Sequence, residues 1–130
     1  MVSANVKDYM SANLVTLSPT TGILEAARHL VEQRISGAPV VDHQGNLVGI
    51  LSEKDCMRIA LQAGYHSDAA GTVAEYMHQE VKTVEAELNI VDVAMMFIED
   101  DYRRYPVIKD GRLVGQISRR DVLRALAELS

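Results

Sequence analysis

Asn46-Leu47-Val48-Gly49-Ile50-Leu51-Ser52-Glu53-Lys54-Asp55 returns, 66 residues later, as Arg112-Leu113-Val114-Gly115-Gln116-Ile117-Ser118-Arg119-Arg120-Asp121. Each copy reads as a short apolar strand that ends at a serine, where a helix starts. Working outward, Val6-Lys7-Asp8-Tyr9-Met10 returns as Val73-Ala74-Glu75-Tyr76-Met77, 67 residues later, so one residue is lost between the blocks, near Gln44. A repeat of this length is too long for a solenoid unit and too short for a comfortable independent domain. Two such units are expected to fold against each other, and a pseudo-twofold pair makes two related clefts where function is to be sought.

Each unit reads β-α-β-β-α behind a short helical lead-in, an α/β (α+β) fold. The boundaries are 1–63 for the first repeat, 64–72 for a linker rich in small residues, and 73–130 for the second repeat. Val6, Tyr9 and Met10 follow helical spacing, as do Val73, Tyr76 and Met77. Extended stretches come next, Leu14 to Leu17 and Val81 to Val84. Ser18-Pro19-Thr20-Thr21 offers hydroxyls to cap the first main helix, and Asn89 is the cap of its twin. Ile23, Ala26, Ala27, Leu30 and Val31 form one face, matched by Ile90, Val93, Ala94, Phe97 and Ile98. Strands are expected to start at Pro39 and Pro106, where a missing N–H is tolerated. Asp42 to Gly45 and Lys109 to Gly111 make hairpin turns. In the last helices Cys56, Ile59, Ala60 and Ala63 line the buried face, matched by Val122, Ala125, Leu126 and Leu129.

Composition narrows the function. The 48% apolar fraction supports a core, and a net charge of −5 argues against a general nucleic-acid binder. No apolar run approaches a bilayer span, and the N-terminus lacks a signal-peptide layout. Cys56 is the sole cysteine, so no internal disulfide exists and a reducing cytoplasm is the simpler setting. His29, His43, His66 and His78 show no metal-ligand spacing. His29, between Arg28 and Glu32, reads as a surface residue. Met95-Met96 reads as core or subunit-interface filling. Glu99-Asp100-Asp101 reads as a solvated helix end that is also able to hold magnesium for a polyphosphate. Ser52 and Ser118 have no histidine base and no P-loop is present, which argues against nucleophilic or NTPase catalysis.

Ser36-Gly37-Ala38-Pro39-Val40-Val41-Asp42, Gly49 to Asp55, Arg103-Arg104-Tyr105-Pro106-Val107-Ile108 and Gly115 to Asp121 together resemble a tandem pair of cystathionine-beta-synthase (CBS) domains, a Bateman module. The resemblance runs from Val6 to Leu126. It implies two small sheets with outer helices, packed with pseudo-twofold symmetry, and pairs that associate again into disc-like homodimers. It implies clefts for AMP, ADP or ATP, for S-adenosylmethionine or NAD in some members, with Mg accompanying ATP. It implies regulation of other proteins and no catalysis.

The site chemistry follows from Gly-h-x-Ser-x-x-Asp. A helix N-terminus has free N–H groups and a positive dipole end that favours phosphate. The aspartate three residues on has two oxygens to accept from both ribose hydroxyls. The same Ser and Asp also make a capping box that merely starts a helix. Carried over from the family, the principal site comprises Thr16, Arg103, Arg104, Ile117, Ser118, Arg120 and Asp121, with Ser18, Thr20 and Thr21 near Thr16 in sequence. Arginine suits phosphate because its fork donates in pairs. The second, weaker site comprises Ser36, Gly37, Ser52, Lys54, Asp55 and Thr83. It has Ser36-Gly37 in place of the arginine doublet, and Glu85-Ala86-Glu87 brings two carboxylates that repel polyphosphate. Val15, Ile35, Ala38, Val40 and Ile117 are candidates for the base, but β-branched residues on short strands are mostly core, and plain core is the favoured reading of each.

The resulting expectation is an adenine-nucleotide sensor whose output is a separate effector protein, since 130 residues leave no room for an effector domain. Otherwise the chain is a fragment, though its start at Met1 favours a natural small protein. The competing expectation is a ligand-free dimerisation scaffold; a nucleotide-consuming enzyme is the third, without a general base to support it.

Overall fold

A computed structural model describes residues 4–62 and 71–129. Most of the expected linker, together with Ala63, His66 and Ser67, lies outside the described residues. The element order is α1 (Val6–Tyr9), α2 (Ile23–Gln33), β1 (Gly37–Val41), β2 (Leu47–Ser52), α3 (Glu53–Gln62), α4 (Val73–Tyr76), β3 (Val84–Glu85), α5 (Ile90–Glu99), β4 (Arg104–Lys109), β5 (Arg112–Ser118) and α6 (Arg119–Leu129). The chain divides into two compact units, Val15–Val81 and Met1–Leu14 with Lys82–Ser130. The lead-in of each repeat thus belongs to the unit built from the rest of the other repeat.

Backbone pairing explains this exchange. In the unit Val15–Val81, β1 and β2 are antiparallel, with Gly37 opposite Ser52 and Val40 opposite Gly49. Leu17 adds a parallel bridge to Val40, and His78 exchanges two 2.9 Å hydrogen bonds with Ile50 at the other edge. In the other unit β3 runs parallel to β4, β4 pairs antiparallel with β5, and Ser11 exchanges two 2.9 Å bonds with Gln116. The expected first strand, Leu14 to Leu17, is reduced to the single Leu17 bridge, and its counterpart starts at Val84.

The two prolines stand inside their strands, not at the first residue. The Pro39 carbonyl accepts from Leu17 N–H at 2.9 Å, while Pro39 lies opposite Ile50, whose own N–H and C=O are turned to His78. No ladder donor is required at that position, which is why a residue without an N–H fits. Pro106 opposite Gln116 repeats the arrangement. The hairpins form as expected. Gly45, Asp110 and Gly111 have positive φ, and Asp42 Oδ1 accepts from the N–H groups of Gln44 and Asn46 at 2.9 Å each.

One core is built on Ile23, Ala26, Leu30, Val40 and Leu51; the other is built on Ile90, Val93, Phe97, Tyr105, Val107 and Ile117. Four residues assigned to buried faces by periodicity are in fact exposed: Val31, Ala60, Ile98 and Leu126. They lie at the edge of an apolar stripe wider than the sheet beneath it covers. The cap of α2 is Gly22, without a side-chain bond; Ser18 and Thr20 instead bond each other at 3.0 Å. Asn89 caps α5 as expected, accepting from Val91 N–H at 2.7 Å.

Candidate functional site

Both Ser-x-x-Asp sequences form the same local structure. Asp121 accepts from Ser118 N–H at 2.9 Å, and Ser118 Oγ accepts from Asp121 N–H at 3.2 Å. Asp55 accepts from Ser52 N–H at 3.0 Å, and Ser52 Oγ accepts from Asp55 N–H at 3.1 Å. Each pair begins a helix of at least ten residues, α6 and α3, where unpaired N–H groups and the positive dipole end gather.

The antiparallel registers bring further predicted residues to these helix starts. Arg104 is the direct partner of Ser118 across β4 and β5. The Arg103 carbonyl accepts from Arg119 N–H at 3.2 Å, and Arg119 Nε donates to the Tyr102 carbonyl at 3.0 Å. The doublets Arg103-Arg104 and Arg119-Arg120 are therefore gathered at the end of the sheet that carries Ser118 and Asp121, all four exposed. Ile117 stands apart from this group: it is fully buried in the core and presents no surface to a ligand. Thr16 belongs to the other compact unit, where it is exposed.

The corresponding end of β1 and β2 collects the second set. Gly37 is paired with Ser52, and the Ser36 carbonyl accepts from Glu53 N–H at 2.8 Å. A Cβ on Gly37 would sit 3.0 Å from the Leu51 carbonyl oxygen, so the close approach of the strands favours glycine. Lys54 is exposed beside Asp55, and Thr83 lies in the other unit. Glu87, one of the two carboxylates expected to repel phosphate, is tied within its own unit to Lys7 at 2.9 Å and Lys109 at 3.7 Å.

The two aspartates differ in how fully they are occupied. Asp121 has Arg124 at 3.6 Å from Oδ1, and its side chain is 23% exposed. Asp55 has the equivalent Arg58 at 3.9 Å, but its Oδ2 also accepts from Ser52 Oγ at 2.8 Å and its Oδ1 lies 2.9 Å from His78 Nε2. Its side chain is only 8% exposed. Burial acts to raise the Asp55 pKa, yet the Ser52 and His78 hydrogen bonds outweigh it and hold the carboxyl below its ordinary value. Sequence reasoning missed Arg58, Arg124 and, in the closest contact of the three, His78. The signal for His78 was available in the repeat: the residue after Tyr-Met is Ser11 in one copy and His78 in the other.

His78 contacts Asp55 and not Ser52, so the order required for a serine nucleophile, hydroxyl to imidazole to carboxylate, is absent among the described residues. Cys56 is half-buried, and burial beside Asp55 pushes its thiol up, away from the reactive thiolate. Asp100, read as a solvated helix end, is engaged by Lys82 and by the Tyr105 hydroxyl. Among the described residues no cluster of three or more metal-ligating side chains exists. A groove of about 680 Å³ within the unit Val15–Val81 is lined by Thr16, Ser18, Thr21, Arg28, His29 and His43, among others. Of the residues expected at or beside the principal site it takes Thr16, Ser18 and Thr21, and Glu25, Glu32 and Asp42 give it more acids than cations. No helix among the described residues is long and apolar enough to cross a membrane.

Comparison with known proteins adds three findings. The family model described as CBS domain matches residues 6–62 and 73–128. The chain is 32% identical to CBSX1, a chloroplastic CBS domain-containing protein of Arabidopsis thaliana, over 90% of this chain and 61% of that one. It is 28% identical to protein MJ1225 of Methanocaldococcus jannaschii, over 96% of this chain and 44% of that one. It therefore spans less than two thirds of the length of both relatives. Among solved structures, CBSX2 in complex with AMP superposes with a TM-score of 0.80 at 31% identity, covering 96% of this chain and 97% of that one. The CBS domain pair of protein MJ0100, in complex with 5′-methylthioadenosine and S-adenosylmethionine, gives 0.74 at 28% identity, covering 99% and 100%.

Proposed function

Because the chain belongs to the CBS domain family, as two tandem domains, we propose that it is a non-catalytic regulatory protein that binds an adenine nucleotide and modulates a separate partner. The observation that carries this reading is the Asp121 carboxylate. It is held by its own helix start and partly exposed, with Arg124 3.6 Å from Oδ1, Arg104 opposite the Ser118 that starts the helix, and the exposed Arg103, Arg119 and Arg120 at the same end of the sheet. A ribose diol donates to such a carboxylate, and a phosphate accepts from arginine forks and helix N–H groups. The ligands of the similar proteins support the adenosine part: AMP for CBSX2, and 5′-methylthioadenosine with S-adenosylmethionine for the MJ0100 pair.

We assign Arg103, Arg104, Ser118, Arg120 and Asp121 to this site. AMP, ADP and ATP are the favoured ligands because the site is cationic; S-adenosylmethionine and NAD are further members of the ligand class, and Mg would accompany ATP. The lone, half-buried Cys56 fits a cytoplasmic protein that needs no disulfide. Homodimer formation is supported by the exposed apolar residues of the packed helices α5 and α6, where Val91, Met95, Ile98 and Leu123 are each more than half exposed. Those residues also favour the second reading, a dimerisation scaffold without a ligand.

Thermal melting separates the two. AMP, ADP or ATP should raise the melting temperature through linkage, and Asp121→Ala should remove the rise. No rise with any of these, nor with S-adenosylmethionine or NAD, supports the scaffold instead. Sedimentation of the same samples tests the homodimer.

A further inference from the structure

The repeat places the same aspartate twice, and the structure engages Asp55 more fully than Asp121. Asp55 Oδ2 accepts from both Ser52 N–H and Ser52 Oγ, at 3.0 and 2.8 Å. Its Oδ1 lies 2.9 Å from His78 Nε2. His78 is itself fixed beside β2, because its backbone N–H and C=O both pair with Ile50 at 2.9 Å. At the equivalent place in the other unit, Ser11 pairs with Gln116 through the same two backbone bonds. No side-chain bond joins Ser11 to Asp121 among the described residues. The exposure of the carboxylates follows: 8% for Asp55 against 23% for Asp121.

We infer that His78 closes the Asp55 site by taking the place of a ribose hydroxyl on its carboxylate, so that the protein holds one adenine nucleotide per chain, at Asp121. A vicinal diol donates two hydrogen bonds, and a carboxylate offers about four acceptor positions in total. Three are already used on Asp55, the third by the imidazole, so fewer than two remain for a diol. A nucleotide must displace a charge-assisted hydrogen bond before it makes its own, which weakens binding by roughly 10- to 100-fold. The residue at positions 11 and 78 thus determines which repeat is a receptor. This assignment rests on the ribose-binding role proposed for Asp121.

Isothermal titration of the full chain with AMP tests it. The wild type is expected to bind one AMP per chain, and His78→Ser, which copies Ser11, is expected to bind two. The reciprocal Ser11→His is expected to weaken the Asp121 site by about 10-fold or more. Two AMP per wild-type chain, or one per His78→Ser chain, overturns the role of His78 while leaving the nucleotide reading intact. No AMP bound by the wild type removes the reading at Asp121 and this inference with it. A measurement on the unaltered protein guards against a variant that fails to fold. Saturating AMP should leave the NMR signals of the His78 ring in place, and displacement of those signals overturns the assignment.

Discussion

The Tyr105 hydroxyl donates a 2.7 Å hydrogen bond to the Asp100 carboxylate, fastening the start of β4 to the residue that ends α5. Tyr105 is otherwise wholly buried, with its ring centroid 4.4 Å from that of Phe97. Burial and the adjacent Asp100 push the phenol far above its ordinary pKa, so it is a neutral donor at neutral pH. Tyr105→Phe keeps the aromatic contact and deletes only the bond. Urea unfolding should show a loss of about 1–2 kcal/mol with an unchanged m-value. A larger loss accompanied by a changed m-value would mean that the ring packing had also been disturbed.

Gly115 and Gly49 hold equivalent positions against the two lead-ins. A Cβ on Gly115 would lie 2.5 Å from Met10 Sδ and 2.9 Å from the Ser11 carbonyl oxygen; on Gly49 it would lie 2.5 Å from Met77 Sδ and 2.9 Å from the His78 carbonyl oxygen. The methionine can swing away, but the backbone oxygen is held in a two-bond bridge. Gly115→Ala and Gly49→Ala should each cost about 1–3 kcal/mol. Hydrogen exchange should show faster opening at Ser11 and Gln116 in the first variant, and at Ile50 and His78 in the second.

The Asp55 carboxyl has its pKa lowered in the folded chain, because its hydrogen bonds outweigh the opposing effect of burial. A carboxyl depressed on folding contributes stability above its unfolded pKa, roughly 3.9, and loses it as pH falls through the folded value. The stability gap between wild type and Asp55→Asn should therefore be full near neutrality and shrink in acid. His78→Ala should move the Asp55 pKa back toward its ordinary value, read by NMR titration of the side-chain carbon. An unmoved pKa would show that Ser52 alone sets it.

Arg104, opposite Ser118, and the exposed Arg120 are the groups expected to meet phosphate. Arg104→Ala or Arg120→Ala should weaken AMP by roughly 10-fold, leave adenosine nearly unchanged, and flatten the dependence of AMP affinity on salt. Equal losses for adenosine and AMP would assign these arginines to something other than phosphate.

Cys56 sits half-buried next to Asp55, and burial followed by that negative charge raises its pKa. Alkylation by iodoacetamide at neutral pH should be several-fold slower than for an exposed peptide thiol, and should speed up in Asp55→Asn. A rate equal to that of the peptide would deny both effects.

The features legible in the sequence are those set by local chemistry. The two Ser-x-x-Asp helix starts, the Asp42 and Asp110-Gly111 turns and the Asn89 cap depend on residues a few positions apart, and they appear where the pattern put them. The gathering of Arg103-Arg104 with Arg119-Arg120 was expected from the family resemblance alone, and the register of β4 against β5 is what brings the doublets to one end of the sheet. What escaped was set by partners distant in sequence. Val31 and Ile98 satisfy helical spacing, but spacing does not say how wide a strip of helix the sheet covers. Ile117 alternates correctly for a strand and is consumed by core packing. His78 read as an isolated histidine because Asp55 is 23 residues away, and only the exchange of lead-ins brings them together.

That exchange has a consequence for biogenesis. The unit Val15–Val81 is one uninterrupted stretch, whereas its companion is assembled from Met1–Leu14 and Lys82–Ser130. On a ribosome, where folding proceeds from the end made first, the stretch Val15–Val81 is complete while Met1–Leu14 still waits for Lys82–Ser130. Residues up to Leu14 therefore stay unpaired within their unit until Lys82–Ser130 has been made, and α6 closes the unit to which α1 belongs.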